Sequence, residues 1–206
     1  MVLIGSYQFD DSGFKALKRP PVAIDGGANH GEFSVNWMRH GGRVVGVEPT
    51  EALCQEIGAK SQGLDGVFLG AALGAREGVR DFYVWDDDQM SSLFDKTGIK
   101  HDGREVVPPP TQVVQVPVIT LEMIIFTELG GVPPDVLKLD VEGAEFENLL
   151  ESDLYGINQI AVEFHRECDP GDRYTMTQER LADEFDTIAF RESADGHHVV
   201  ATYLRR

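Results

Sequence analysis

Between Val22 and Pro49 the chain reads Val22-Ala-Ile-Asp-Gly-Gly-Ala-Asn-His-Gly31, continues through a helical stretch, and reaches Arg43-Val-Val-Gly-Val-Glu-Pro49. A short apolar run ends in an acid, breaks into a glycine-rich turn and enters a helix. A second apolar run follows and ends in another acid. Two buried strands joined by a helix form a right-handed parallel crossover, so this stretch restricts the fold to the α/β class. Both acids then stand at the carboxyl ends of neighbouring strands, the edge at which open α/β sheets hold ligands.

The glycine spacing indicates what kind of ligand. A dinucleotide turn needs GxGxxG, which seats a pyrophosphate on the helix N-terminus. Here the glycines are Gly26, Gly27 and Gly31, and Asn29 stands where the second alternating glycine would fall. An acid followed by GxGxG fits as Asp25, Gly27, Asn29 and Gly31, because Asn tolerates positive φ better than other residues with a side chain. The pattern favours S-adenosylmethionine over NAD. Asp25 would meet the methionine end and Glu48 the ribose hydroxyls. The expected nucleoside contacts are Asp25, Gly27, Asn29, Gly31 and Glu48, with Ala72 after the third strand.

The rest of the chain alternates in the same way. Val22 to Asp25, Val44 to Glu48 and Val67 to Leu69 read as buried strands. Glu32 to His40 and Glu51 to Lys60 read as helices, the first with Phe33, Trp37 and Met38 on one face. Asp81 to Trp85 and Val113 to Val118 suggest antiparallel strands, with Pro117 placing the second at an edge. Residues 95 to 112 show no period, and the loop over residues 86–112 is the expected acceptor side. Leu121 to Leu129 is helical by composition. The first 20 residues form a lid or edge segment. Thr175-Met-Thr-Gln178 reads as a capping box, and Thr187 to Phe190 with Val199 to Leu204 as a closing hairpin. No linker divides the chain, so residues 1–206 are expected to form one domain.

Two further segments carry chemistry. In Pro134-Asp-Val-Leu-Lys-Leu-Asp-Val-Glu-Gly-Ala-Glu-Phe146, a buried strand containing Lys138 leads to Asp140, Glu142 and Glu145. Acids crowded at a strand end need a cation, a shared proton or a basic partner, and alternation puts Lys138 on the side of Asp140. Glu142 and Glu145 could equally serve the dipole of the following helix. In Ile160-Ala-Val-Glu-Phe-His-Arg166 a strand ends with Glu163 and His165 on one side. Imidazole suits proton transfer near neutral pH, with Glu163 or Asp140 to orient it. His197 and His198 read as exposed hairpin residues.

With 18 basic and 35 acidic side chains, the net charge of -17 repels polyanions and argues against nucleic acid as a partner. Cys54 and Cys168 are too few for a disulfide framework or a zinc cluster. With no signal peptide and no apolar run of membrane-spanning length, this points to a cytoplasmic chain with no membrane partner.

Asp25-Gly-Gly-Ala-Asn-His-Gly31, Gly46-Val-Glu-Pro49, Ser91-Ser-Leu93, Leu137 to Glu145 and Glu163-Phe-His165 together resemble the FkbM family of S-adenosylmethionine-dependent methyltransferases. Gly26 departs from the pattern, since relatives carry a bulkier residue there, and it should loosen the turn. The resemblance implies a class I, Rossmann-like fold: a seven-stranded mixed sheet with helices on both faces. It also implies methyl transfer to a hydroxyl of a small molecule. His165 is then the expected base, with Asp140 or Glu142 orienting it or the acceptor; the second choice is a divalent ion on Asp140, Glu142 and His165. A nicotinamide-dependent oxidoreductase and a non-catalytic nucleoside-binding module are the competing functions.

Overall fold

A computed structural model of the chain describes residues 1–101, 105–169, 171–194 and 196–206. It begins with strands β1 (Val2–Ile4) and β2 (Tyr7–Phe9) and helix α1 (Ser12–Ala16). Strand β3 (Val22–Gly26), helix α2 (Glu32–Arg39), strand β4 (Arg43–Val47), helix α3 (Glu51–Lys60) and strand β5 (Gly66–Leu69) follow. Strands β6 (Ala72–Leu73), β7 (Gly78–Val84), β8 (Lys100–His101), β9 (Glu105–Val106) and β10 (Gln112–Ile119) come next. The remaining elements are α4 (Leu121–Leu129), β11 (Val136–Leu139), α5 (Glu145–Glu151), β12 (Gln159–His165), α6 (Arg173–Glu184), β13 (Phe185–Glu192) and β14 (His198–Arg205).

The main sheet has seven strands in the order β5-β4-β3-β11-β12-β14-β13. Its first five are parallel, and β14 is inserted antiparallel between β12 and β13. This is the class I methyltransferase architecture the motifs implied. The inner strands are apolar on both sides because both faces are covered. Ile24, Leu137, Leu139, Ile160 and Val162 pack with α4, α5 and α6, whereas Ala23, Val136 and Ala161 pack with α2 and the β1–β2 hairpin. On that second face Phe33 stacks on Trp37 at 5.7 Å, with the Phe9 ring 5.8 Å from the indole. Trp37 Nε1 donates to the Arg43 carbonyl at 3.0 Å, tying the end of α2 to the start of β4.

Several expectations change in the folded chain. The first residues form a hairpin that packs against β12 and β14 and buries Ile4, Tyr7 and Phe9. Residues 95 to 112 include the short β8–β9 pair. Strand β10 pairs with β7 along its length but meets β6 only at Val118 and Ile119, so it is still an edge at Pro117. Helix α6 starts at Arg173, and no capping box forms. The Asp169 carboxylate instead accepts from the Arg173 and Tyr174 amides at 3.1 and 2.9 Å, because an acid placed ahead of the helix reaches its free N–H groups first. Gly26 does not loosen its turn: a Cβ there would lie 2.8 Å from Leu73 Cδ2, so packing fills the space. No helix among the described residues is long and apolar enough to cross a membrane.

Candidate active site

The turn after β3 turns on three residues with positive φ: Gly27 at 74°, Asn29 at 45° and Gly31 at 79°. A side chain at Gly27 would place its Cβ 1.8 Å from the Asp140 carbonyl oxygen, so the turn can lie against β11 only without one. The amides of Gly27 and Ala28 both donate to the Val47 carbonyl, at 3.1 and 3.0 Å. Glu48, at the tip of β4, closes the turn from the other side. Its Oε2 accepts from the Asn29 amide at 3.0 Å and its Oε1 from the Thr50 amide at 2.8 Å. Burial nevertheless raises its pKa above the usual glutamate value.

These residues line a cavity of about 520 Å³ over the carboxyl ends of the strands. One stretch of its wall is Gly27 to His30, Glu48, Ala72 and Leu73; a second, adjoining it where Lys138 meets the Gly27 carbonyl, is Tyr7, Lys138, Asp140, Glu142, Glu163, His165 and His198. Strand order sets the separation. From β4 to β12 is three strand spacings, about 14 Å.

The second wall is a network of charge. Lys138 is buried and reaches the Gly27 carbonyl at 2.8 Å, Asp25 at 3.0 Å and Asp140 at 3.6 Å. Burial opposes its charge, but the two carboxylates outweigh that and raise its pKa. Asp140 keeps an opening to the cavity and accepts from the Tyr7 hydroxyl at 3.2 Å. Burial raises its pKa, with Lys138 and His165 pulling the other way. His165 is enclosed: its Nε2 lies 3.1 Å from Glu142 and 4.0 Å from Asp140, and its Nδ1 lies 3.2 Å from Glu145. Burial disfavours the charged ring, yet Glu142 and Glu145 hold its pKa well above the usual histidine value. Burial pushes Glu142 up, but His165 and the Lys96 ammonium hold it down at about 2. Glu142 has φ 54°, and its carbonyl accepts from Ser92 Oγ at 2.6 Å, which gives the Ser-Ser-Leu segment a structural purpose.

The predicted residues therefore divide. Gly27, Asn29, Glu48, Ala72, Asp140, Glu142 and His165 line one cavity. Asp25 and Gly31 do not: Asp25 is fully buried and receives the Ser34 hydroxyl at 2.6 Å, so it braces Lys138 from behind the wall. Gly31 is spent on packing, since a Cβ there would lie 2.9 Å from Ile57. Glu145 does stand in the first turn of α5, where an acid suits the helix dipole, but it is not on the helix surface. It is fully buried and accepts the backbone amides of Gly143 and His165 at 2.8 and 2.6 Å. His198 is not an exposed hairpin residue, since it pairs across the strands with His165 and its ring sits between Glu163 and Glu167. Tyr7 and Lys96 escaped sequence reasoning. The Gly5-Ser6 pair between two apolar runs is a hairpin signal that could have found Tyr7; Lys96 lies in a stretch without period and left none.

The family model described as the Methyltransferase FkbM domain matches residues 25–200. Among solved structures, a fibrillarin/Nop5p complex aligns over 92% of this chain and 75% of its own, at 11% identity and a TM-score of 0.50. Magnesium protoporphyrin IX methyltransferase from Synechocystis PCC 6803, solved with bound SAM, aligns over 91% and 71% at 14% identity and a TM-score of 0.45. Aeropyrum pernix fibrillarin with S-adenosyl-L-methionine aligns over 91% and 67% at 11% identity and a TM-score of 0.47. A search of curated proteins found no match.

Proposed function

Because the chain belongs to the FkbM methyltransferase family, we propose that it moves a methyl group from S-adenosylmethionine to a hydroxyl oxygen of a small molecule. The observation that carries this reading is the single cavity shared by the Gly27–His30 turn, Glu48 and the charged wall at Asp140. When bound, S-adenosylmethionine supplies a methyl group activated by its sulfonium. The residues present fit that group. Each Glu48 oxygen accepts one backbone amide and keeps lone pairs for ribose hydroxyls. Ala72 and Leu73 offer an apolar side to the base.

Oxygen methylation requires a proton acceptor beside the acceptor hydroxyl. His165 is unsuited, because both its nitrogens face carboxylates that keep it protonated. Asp140 takes that role. It opens to the cavity, and its raised pKa makes it a stronger base than an ordinary aspartate. His165 and Glu142 are positioning residues that hold the Asp140 wall in place, while Lys138 links Asp140 to the carbonyls of the nucleoside turn. A small acceptor without a large negative charge fits both the cavity size and the net charge of -17.

The test couples S-adenosylhomocysteine titration to a screen of hydroxylated small molecules, read as the gain of one methyl group by mass. Asp140→Asn should lower turnover about a hundredfold and leave S-adenosylhomocysteine affinity near wild type. Full turnover in that variant would remove Asp140 from the proposed chemistry. Binding without transfer to any acceptor would favour the non-catalytic module.

A further inference from the structure

The acceptor wall holds a second cluster, which shares only His165 with the group around Asp140. Glu163 and His165 lie two residues apart on one side of β12, and His198 stands directly across from His165 on β14. A carboxylate oxygen of Glu163 and one nitrogen from each imidazole fall within 4.8 Å of one another. We propose that Glu163, His165 and His198 form a site for a divalent first-row metal ion of the zinc class, facing the acceptor.

Ring orientation supports this assignment. His165 directs Nδ1 at Glu145, which is fully buried, so Nε2, 3.1 Å from Glu142 and 4.0 Å from Asp140, is the nitrogen on the cavity side. His198 directs Nε2 at Glu167 at 3.2 Å and turns Nδ1 to Glu163 at 3.4 Å. Metal-binding histidines are commonly fixed in this way, with a carboxylate on the nitrogen that does not bind. Ligands of a tetrahedral zinc lie about 3.4 Å apart, which is the Glu163 to His198 spacing. Two imidazoles and one carboxylate suit zinc, cobalt or iron better than magnesium. All three ligands line the cavity, so a remaining coordination position can face an acceptor oxygen and make its hydroxyl more acidic. The cation site stands on its own ligands; its part in methyl transfer rests on the reading above.

Cobalt(II) alone is the probe, added to the full chain after chelator treatment and followed by visible absorption and calorimetry. One equivalent should bind, with the intense bands of a low-coordinate ion. His198→Ala and Glu163→Gln should each weaken it at least tenfold, and Glu145→Gln about tenfold. S-adenosylhomocysteine titration of the same samples reports folding and the nucleoside pocket separately. The proposal is overturned if no cobalt binds, or if His198→Ala binds as wild type in a sample that still takes S-adenosylhomocysteine. It also fails if Asp140→Asn or Glu142→Gln abolishes binding while His198→Ala does not, since the ion would then belong to Asp140, Glu142 and His165.

Discussion

Single residues set the geometry of this site through backbone conformation and burial. Gly27 and Asn29 show the difference between a steric and a conformational requirement. Gly27→Ala would drive a Cβ into the Asp140 carbonyl and should abolish measurable S-adenosylhomocysteine binding. Asn29 only needs to hold φ 45°, so Asn29→Gly should bind nearly as wild type. Asn29→Val should weaken binding about tenfold, from the roughly 1–2 kcal/mol cost of that conformation for an ordinary side chain. Glu48 predicts a pH effect. Burial raises its folded pKa above the usual value, so it takes up a proton at a higher pH than an ordinary glutamate. Nucleoside binding should be present at neutral pH and fall as the pH drops through that raised pKa, while Glu48→Gln binds weakly with little pH dependence. The linked stability has the opposite sense. What Glu48 contributes is fully present below its unfolded pKa and lost as pH rises through the folded one, so Glu48→Gln should not lower the neutral-pH Tm. The acid at the strand tip was legible in the sequence, but the disposition of Asp25 was not. An acid at the last position of a buried strand can point to the ligand or to a neighbouring strand, and Lys138 on β11 decides it.

At the scale of elements, strands and helices could be read wherever both faces of a strand or one face of a helix were apolar. Helices α3 and α4 and strand β11 run over the residues that pattern and composition indicated, because burial and propensity agree there. Thr120 caps α4 by accepting from the Met123 amide at 3.2 Å. Thr120→Ala should cost about 1 kcal/mol, a fall in Tm of roughly 2–4 °C by calorimetry. The start of α6 was misread because Ser, Thr and Asp compete as caps and only three-dimensional reach separates Asp169 from Thr175. The β12–β14 pairing carries a second pH signature. Hydrogen bonds to Glu163 and Glu167 raise His198 to about 10. Its contribution to stability is therefore complete below the unfolded value near 6.5 and is lost as pH rises toward 10. In chelator-treated protein, wild-type Tm should fall across that window relative to His198→Gln; parallel curves would show that the two acids do not hold the charged ring.

For the whole molecule, the seven-strand order brings the tips of β4, β3, β11 and β12 side by side, so residues more than a hundred positions apart share one cavity. The net charge of -17 acts over the same distance. Between two acceptors differing by one phosphate, kcat/KM should favour the neutral one, and more so at low than at high ionic strength. The parallel crossover at Val22 to Pro49, the positive-φ turn and the acids at strand ends were readable along the chain, because each arises from neighbours a few residues apart. The partner of each charge was not. Which acids Lys138 meets, which carboxylates face His165, and whether His198 faces solvent or Glu163 all depend on which strands become neighbours. Local sequence dictates backbone conformation and periodicity, whereas which charges come within ion-pair distance of each other is set only by the packed fold.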